Sequence, residues 1–246
     1  MSQRLSFAAS LLAVAAALSA GGAQADVVTQ WNFNSVPPDA STTTGSSVAS
    51  IGAGSASAIG GVTTSFASGS ANGGSSDPVT VDDTGWGLTG FAAQGVGDDT
   101  RGAQFLVSTV GWQDVVISFD LRHSNTAAAH ETVQYTLDGA TWVDAGSFVA
   151  TAGDTWFNGR TVDLSSVDAA DNNANFGFRV VASFGSGGAY LASTTGSNYA
   201  TTGTWRFDMA TVSAVSAVPE SSSLALTLAG LGAMGLFMSL RNSRRR

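Results

Sequence analysis

The chain contains no cysteine, no lysine and only two glutamates among its 246 residues. Without cysteine there are no disulfides, no thiol nucleophile and no thiolate metal site. Without lysine a phosphate-cradling Gly-x-x-x-x-Gly-Lys-Ser loop is excluded, and no Gly-x-Ser-x-Gly elbow occurs anywhere. Lysine and glutamate are good helix formers, so their scarcity argues against a helical body. Positive charge is scarce too. Between Asp26 and Val218 five arginines face seventeen acids, a formal charge of −12. Such a surface repels phosphate backbones, and nucleic acid is not an expected partner.

Long apolar runs are missing except at the two ends. At the front, Arg4 precedes a short apolar core, Leu11 to Leu18, followed by Ala23-Gln24-Ala25. This reads as a signal peptide over 1–25, with Ala23 and Ala25 forming the small-x-small site of signal peptidase and Asp26 the first mature residue. At the back, Leu224 to Leu240 run without a charge and Arg241, Arg244, Arg245 and Arg246 follow. Seventeen residues at 1.5 Å each give a helix about 25 Å long, near the short limit for spanning hydrocarbon. The arginines act as stop-transfer charges and stay on the cytoplasmic side, which places the body outside.

The body, 26–215, is long enough for one sandwich domain. Its signal is alternation. Val115, Ile117, Phe119 and Leu121 share one parity, with Ser118, Asp120 and Arg122 on the other. The pattern recurs in Val133, Tyr135 and Leu137, in Phe176, Phe178 and Val180, in Trp205, Phe207 and Met209, and in Val27, Thr29, Trp31 and Phe33. Half-buried strands need this period of two, and no stretch before the terminal helix sustains a period of 3.6. Asp138-Gly139 reads as a two-residue hairpin turn. The expected fold is all-β: a two-sheet antiparallel sandwich of jelly-roll type, flanked by an N-terminal signal helix and a C-terminal transmembrane helix. Residues 35–76, rich in Ser, Gly, Ala and Thr, read either as a linker or as short strands joined by glycine turns.

The tail Val218-Pro219-Glu220-Ser221, the apolar helix and the arginine cluster together resemble the PEP-CTERM sorting signal of Gram-negative bacteria, with Ser221 where that family prefers proline. The resemblance makes 216–246 a sorting region and implies processing by an exosortase near Val218, Pro219 and Glu220. The chain would be held at the inner membrane before processing, then delivered to the cell envelope, surface or extracellular matrix of an exopolysaccharide-making cell. The body resembles an uncharacterised β-sandwich of such exported proteins, through Trp31-Asn32-Phe33-Asn34, Ser108 to Asp114, Arg122 to Thr126, Asp171 to Arg179 and Gly203 to Asp208. That family implies no activity.

No catalytic residue is assigned. His130-Glu131-Thr132-Val133-Gln134 begins like a zinc-protease motif but ends in Gln134, on a strand-like segment. Asp168, Asp171, Asn173 and Asn175 form an oxygen-rich loop that turn capping explains better than calcium, since Ala182 stands where the bidentate acid belongs. Asp208 is a calcium candidate by analogy with jelly-roll binding modules alone. Arg122, Arg179 and Arg206, opposite the apolar parities, read as cross-strand ion pairs or as a face for sugar hydroxyls. Trp31, Trp142 and Trp205 read as core, and Trp86 and Trp156 as turn residues. The reading is a non-catalytic surface or matrix protein, structural or weakly carbohydrate-binding, with exopolysaccharide an open partner and no assigned cofactor or metal. A polysaccharide hydrolase and a calcium-stabilised adhesion module are the alternatives.

Overall fold

The computed structural model describes residues 24–79 and 81–217. Ala23, the sorting motif Val218-Pro219-Glu220, the apolar run 224–240 and Arg241, Arg244, Arg245 and Arg246 lie outside the described residues. Among the described residues no helix is long and apolar enough to cross a membrane.

The alternation at 115–121 produces the long strand β6 (Trp112–His123), whose Val115, Ile117, Phe119 and Leu121 are at most 1% exposed. It pairs with β11 (Trp205–Ser216) and β9 (Thr155–Asp163). The other side of β11 is shared by β4 (Thr84–Thr89) and β1 (Asp26–Trp31), and β3 (Thr63–Ser68) closes that edge. The second sheet runs β2 (Gly54–Ile59), β5 (Gly102–Val107), β10 (Gly177–Ser183), β7 (His130–Thr136) and β8 (Val143–Val149). All pairings are antiparallel. The observed architecture is therefore a two-sheet sandwich. Among the described residues every strand and the buried core cluster lie within 26–216.

Phe105 sits at the centre of the core, stacked on Phe178 at 4.6 Å and flanked by Trp31 at 5.1 Å, Phe207 at 6.2 Å and Trp86 at 6.4 Å between ring centroids. Offset and tilted aromatic contacts of this kind add to simple area burial. The two layers are also joined electrostatically. Glu131 of β7, fully buried, accepts from Arg160 of β9 and faces His123 of β6, with its Oε2 3.1 Å from His123 Nε2.

Three local expectations change, and one open alternative narrows to short strands. The alternation in β11 stops at Met209, which takes a left-handed φ of 47° at a register shift, and Ala210, Val212 and Ala214 supply the buried set beyond it. A bulge of this type lets a strand change which side chains face the core. A similar shift between Val27 and Thr29 leaves Val27 39% exposed while Thr29 and Trp31 are buried. Asp138-Gly139 does not make a two-residue hairpin, because Tyr135 pairs with Val143 across a longer loop. Asp138 Oδ1 accepts from the Ala140 and Thr141 amides there, holding its carboxyl well below the usual range. Finally, 35–76 contains β2 and β3, joined at Gly60-Gly61, both at positive φ. Small residues there still alternate, but they bury too little area to announce themselves.

Candidate functional site

Cross-strand register builds a row of polar side chains across the outer face of the second sheet. Ser57 of β2 lies opposite Gln104 of β5, Gln104 opposite Arg179 of β10, Arg179 opposite Gln134 of β7, and Gln134 opposite Asp144 of β8. The residues on either side of Gln104 and of Arg179, Ala103 with Phe105 and Phe178 with Val180, are buried in the core, so period two puts these two side chains on the outside, and the register carries the row on from them. Strands stand about 4.8 Å apart, so the row offers one polar group at each such step.

Its members are held in order. Arg179 Nε donates to Gln134 Oε1 at 2.6 Å, and Gln134 Nε2 donates to Asp144 Oδ1 at 2.6 Å. The Arg179 guanidinium lies 4.6 Å from the centre of the half-buried Trp142 ring. Among the described residues the two Nη groups of Arg179 and the amide of Gln104 make no hydrogen bond, so donors and acceptors remain for a ligand. Partial burial lowers the Arg179 pKa, with Asp99 and Asp144 opposing. The Asp99 carboxyl is shifted up, first by burial and then, after a Thr132 hydrogen bond that lowers it, by Asp98 and Asp144. Its Oδ1 is buried without a partner.

The loop carrying Asp99 is fastened. Asp98 Oδ1 accepts from the Phe184 amide, and the Asp99 amide donates to Ala182 O. Tyr190 donates its hydroxyl to Gly97 O at 2.6 Å and stacks on Tyr199. A shallow groove lined by Gly54, Leu106, Gly139, Asn175 and Phe176 lies at the neighbouring register of the same sheet. The surface combines a stiff hydrogen-bonding row, an aromatic plane and an apolar trough.

The other candidates separate. Arg122 and Arg206 are cross-strand neighbours on the first sheet, not on the sheet of Arg179. Arg122 pairs with Asp154, and Arg206 Nη1 donates to Ser68 O at 2.6 Å. His130, Glu131 and Gln134 alternate on β7, with Glu131 in the core and Gln134 on the polar row, so they do not form a zinc site. The 168–175 loop caps turns: Asp171 Oδ1 accepts from the Asp114 amide, Asn172 Oδ1 from Gly111 and Asn173 Oδ1 from Asn175. The tryptophan expectations partly reverse. Trp86 is core at 3% exposure and Trp156 is buried on the outside of the first sheet, whereas Trp142 belongs to the polar row.

On that first sheet the segment 69–79 crosses the outer face. Trp156 Nε1 donates to Ala71 O, Asn158 Nδ2 to Gly74 O and the Ser76 amide to Asp120 Oδ2. Beneath it Asp77, Asp83 and Asp208 converge, each offering an oxygen within 4.8 Å of the others. Burial raises the Asp208 carboxyl well above its ordinary range, and burial followed by the Asp77 charge pushes Asp83 up to about 6. Asp83 and Asp208 are 5% and 0% exposed, so this carboxylate pair does not line a cleft in which a glycosidic bond could be cut.

Comparison with known proteins finds no matching family model and no matching curated protein. Among solved structures, a CBM22 xylan-binding domain from Paenibacillus barcinonensis is similar at 12% identity and a TM-score of 0.42, over 80% of this chain and all of that one. The CBM22-GH10 modules of a Clostridium thermocellum xylanase, complexed with xylohexaose, are similar at 12% identity and a TM-score of 0.40, over 68% of this chain and 27% of theirs. The K1 cleaved adhesin domain of Lys-gingipain from Porphyromonas gingivalis is similar at 13% identity and a TM-score of 0.37, over 65% and 90%.

Proposed function

We propose that this chain is a non-catalytic exported protein whose sandwich binds an extended, uncharged polysaccharide weakly on the outer face of the second sheet. The observation that carries this is the row Gln104, Arg179, Gln134, Asp144 with Trp142 over the guanidinium. A polysaccharide laid across the strands meets a new donor or acceptor about every 4.8 Å, while Trp142 and the apolar trough suit the C–H faces of sugar rings. The charge of −12 over the body disfavours polyanions at the same face, which points to a neutral polymer.

The experiment is a glycan screen on the 26–217 segment. Neutral polysaccharides are expected to bind, uronic-acid polymers to bind less, and no reducing ends to be released. Retention of no glycan, or hydrolysis of a bound one, contradicts the reading.

The sorting tail supplies the address. Signal peptidase acts between Ala25 and Asp26, the terminal helix holds the chain at the inner membrane, and an exosortase processes it at Val218-Pro219-Glu220. Pro219 supports this part, because a proline breaks regular structure and biases the residue before it toward extended backbone, the form a peptidase binds. Changing Pro219 and Glu220 to alanine is expected to leave an unprocessed, membrane-retained species on cell fractionation. Unaltered processing and location in that variant contradict it.

A further inference from the structure

Asp208 stands within β11 just before the Met209 bulge, and the Met209 amide donates to its Oδ1 at 2.8 Å while Ser75 Oγ donates to Oδ2 at 2.7 Å. Asp77 reaches the same place from the crossing segment, its Oδ2 accepting from Asn34 Nδ2 at 2.8 Å. Asn34 Oδ1 in turn accepts from the Thr84 amide at 2.8 Å, which fixes the side chain. Asp83 enters from the start of β4. Its Oδ1 is buried and has no hydrogen-bond partner, although the residue is only 5% exposed. A Cβ at Gly69 would stand 1.7 Å from that oxygen and 2.9 Å from Asp208 Oδ2, so a residue with no side chain borders the point the two oxygens share.

Three carboxyl groups so placed oppose one another's ionisation, and the chain has no lysine to answer them. The two arginines of this sheet face are engaged elsewhere, Arg122 with Asp154 and Arg206 with Ser68 O. A buried carboxylate oxygen without a partner is costly unless something positive meets it.

We propose that Asp77, Asp83 and Asp208 hold a divalent cation of the calcium type, which ties the 69–79 crossing segment and β4 to β11. The donor set is all oxygen, with no thiolate in the chain and both histidines elsewhere, His123 in the core and His130 on β7 of the other sheet. Oxygen-only sites suit hard cations rather than zinc. The ligand atoms lie within 4.8 Å of one another and come from three separate segments, which suits the flexible, multi-segment coordination of calcium. This site is on the opposite sheet from the polar row and does not depend on the glycan reading.

The test uses the 26–217 segment stripped with chelator and then given calcium chloride or magnesium chloride alone. Equilibrium dialysis is expected to count one calcium per chain, with magnesium at least tenfold weaker, and the Tm is expected to rise with calcium concentration and fall back with chelator. Asp83→Asn and Asp77→Asn are each expected to weaken calcium binding at least tenfold and to remove the calcium dependence of Tm. Counting ions on the unaltered segment needs no variant to fold. No bound calcium at millimolar concentration, or binding that both variants leave unchanged, overturns the site, and equal affinity for magnesium overturns its assignment to calcium. A glycan screen run with and without calcium separates failure of this site from failure of the sugar-binding reading.

Discussion

Replacing Glu131 by alanine is expected to destabilise the domain by about 3–5 kcal/mol, a large part of the 5–15 kcal/mol typical of a folded domain. The expected size follows from what remains. Arg160 is 7% exposed, and burial already lowers its pKa to about 10. With Glu131 removed, the guanidinium keeps, among the described residues, the ring faces of Phe148 at 5.1 Å and Phe157 at 4.7 Å, and its Nε has no partner there to begin with. Aromatic faces return only part of the lost solvation of a cation. His123 loses its acidic neighbour too, with its Nδ1 still 2.8 Å from Ala128 O.

Because Glu131 is on the second sheet and Arg160 and His123 on the first, the loss falls on the contact between layers. Urea unfolding followed by tryptophan fluorescence measures it, with an unchanged m-value showing that only stability moved. The paired change Glu131→Leu with Arg160→Met removes both charges and is expected to recover most of the loss, since neither is then left buried alone. A loss below about 1 kcal/mol in Glu131→Ala would mean that the pair is not the bond between sheets that its burial implies.

The second large effect concerns binding. Arg179→Ala is expected to weaken the affinity for a neutral polysaccharide by tenfold to a hundredfold, since hydrogen bonds from a charged donor contribute about 1.5–3 kcal/mol each. The change also frees Gln134, which accepts from Arg179 and donates to Asp144, so the middle of the row loses its order. Trp142→Ala is expected to cost less, about twofold to tenfold, in keeping with the 0.5–1.5 kcal/mol of an aromatic contact. Both positions are on the outer face, so the Tm should change little and isothermal titration reads the binding effect directly. Equal affinity in Arg179→Ala and the unaltered domain would remove the row from the account.

Much of the fold was legible because large residues alternate where burial is one-sided. Val115 to Leu121 marked β6, and Phe178 and Val180 marked β10, with no need to know their partners. Residues 35–76 were ambiguous because Ser, Ala and Gly bury little area, so a strand such as Gly54–Ile59 carries the composition of a linker. Met209 misled because a bulge is a register event between strands, which alternation within one strand does not encode. Trp86 changed role for a similar reason: glycine neighbours suggest a turn, yet Gly85 and Gly87 let β4 run close beside Arg206 and Ser65 while Trp86 turns inward.

The polar row was visible only in fragments. Arg179 drew notice as a rare cation, but its neighbours Gln104, Gln134 and Asp144 come from three other strands, and only the register assembles them. Asp208 was singled out by analogy alone. Its companions Asp77 and Asp83 carried no local signature, because the bulge, Gly69 and the crossing segment that bring them together are tertiary features.

The most direct test of the account is an amide and side-chain NMR titration of the 26–217 segment with a neutral polysaccharide that the screen retains. The account predicts shifts concentrated at Gln104, Gln134, Trp142, Asp144 and Arg179, with the outer face of the first sheet unmoved. Shifts centred on Arg122, Trp156 and Arg206 instead, or scattered over both faces, would contradict it.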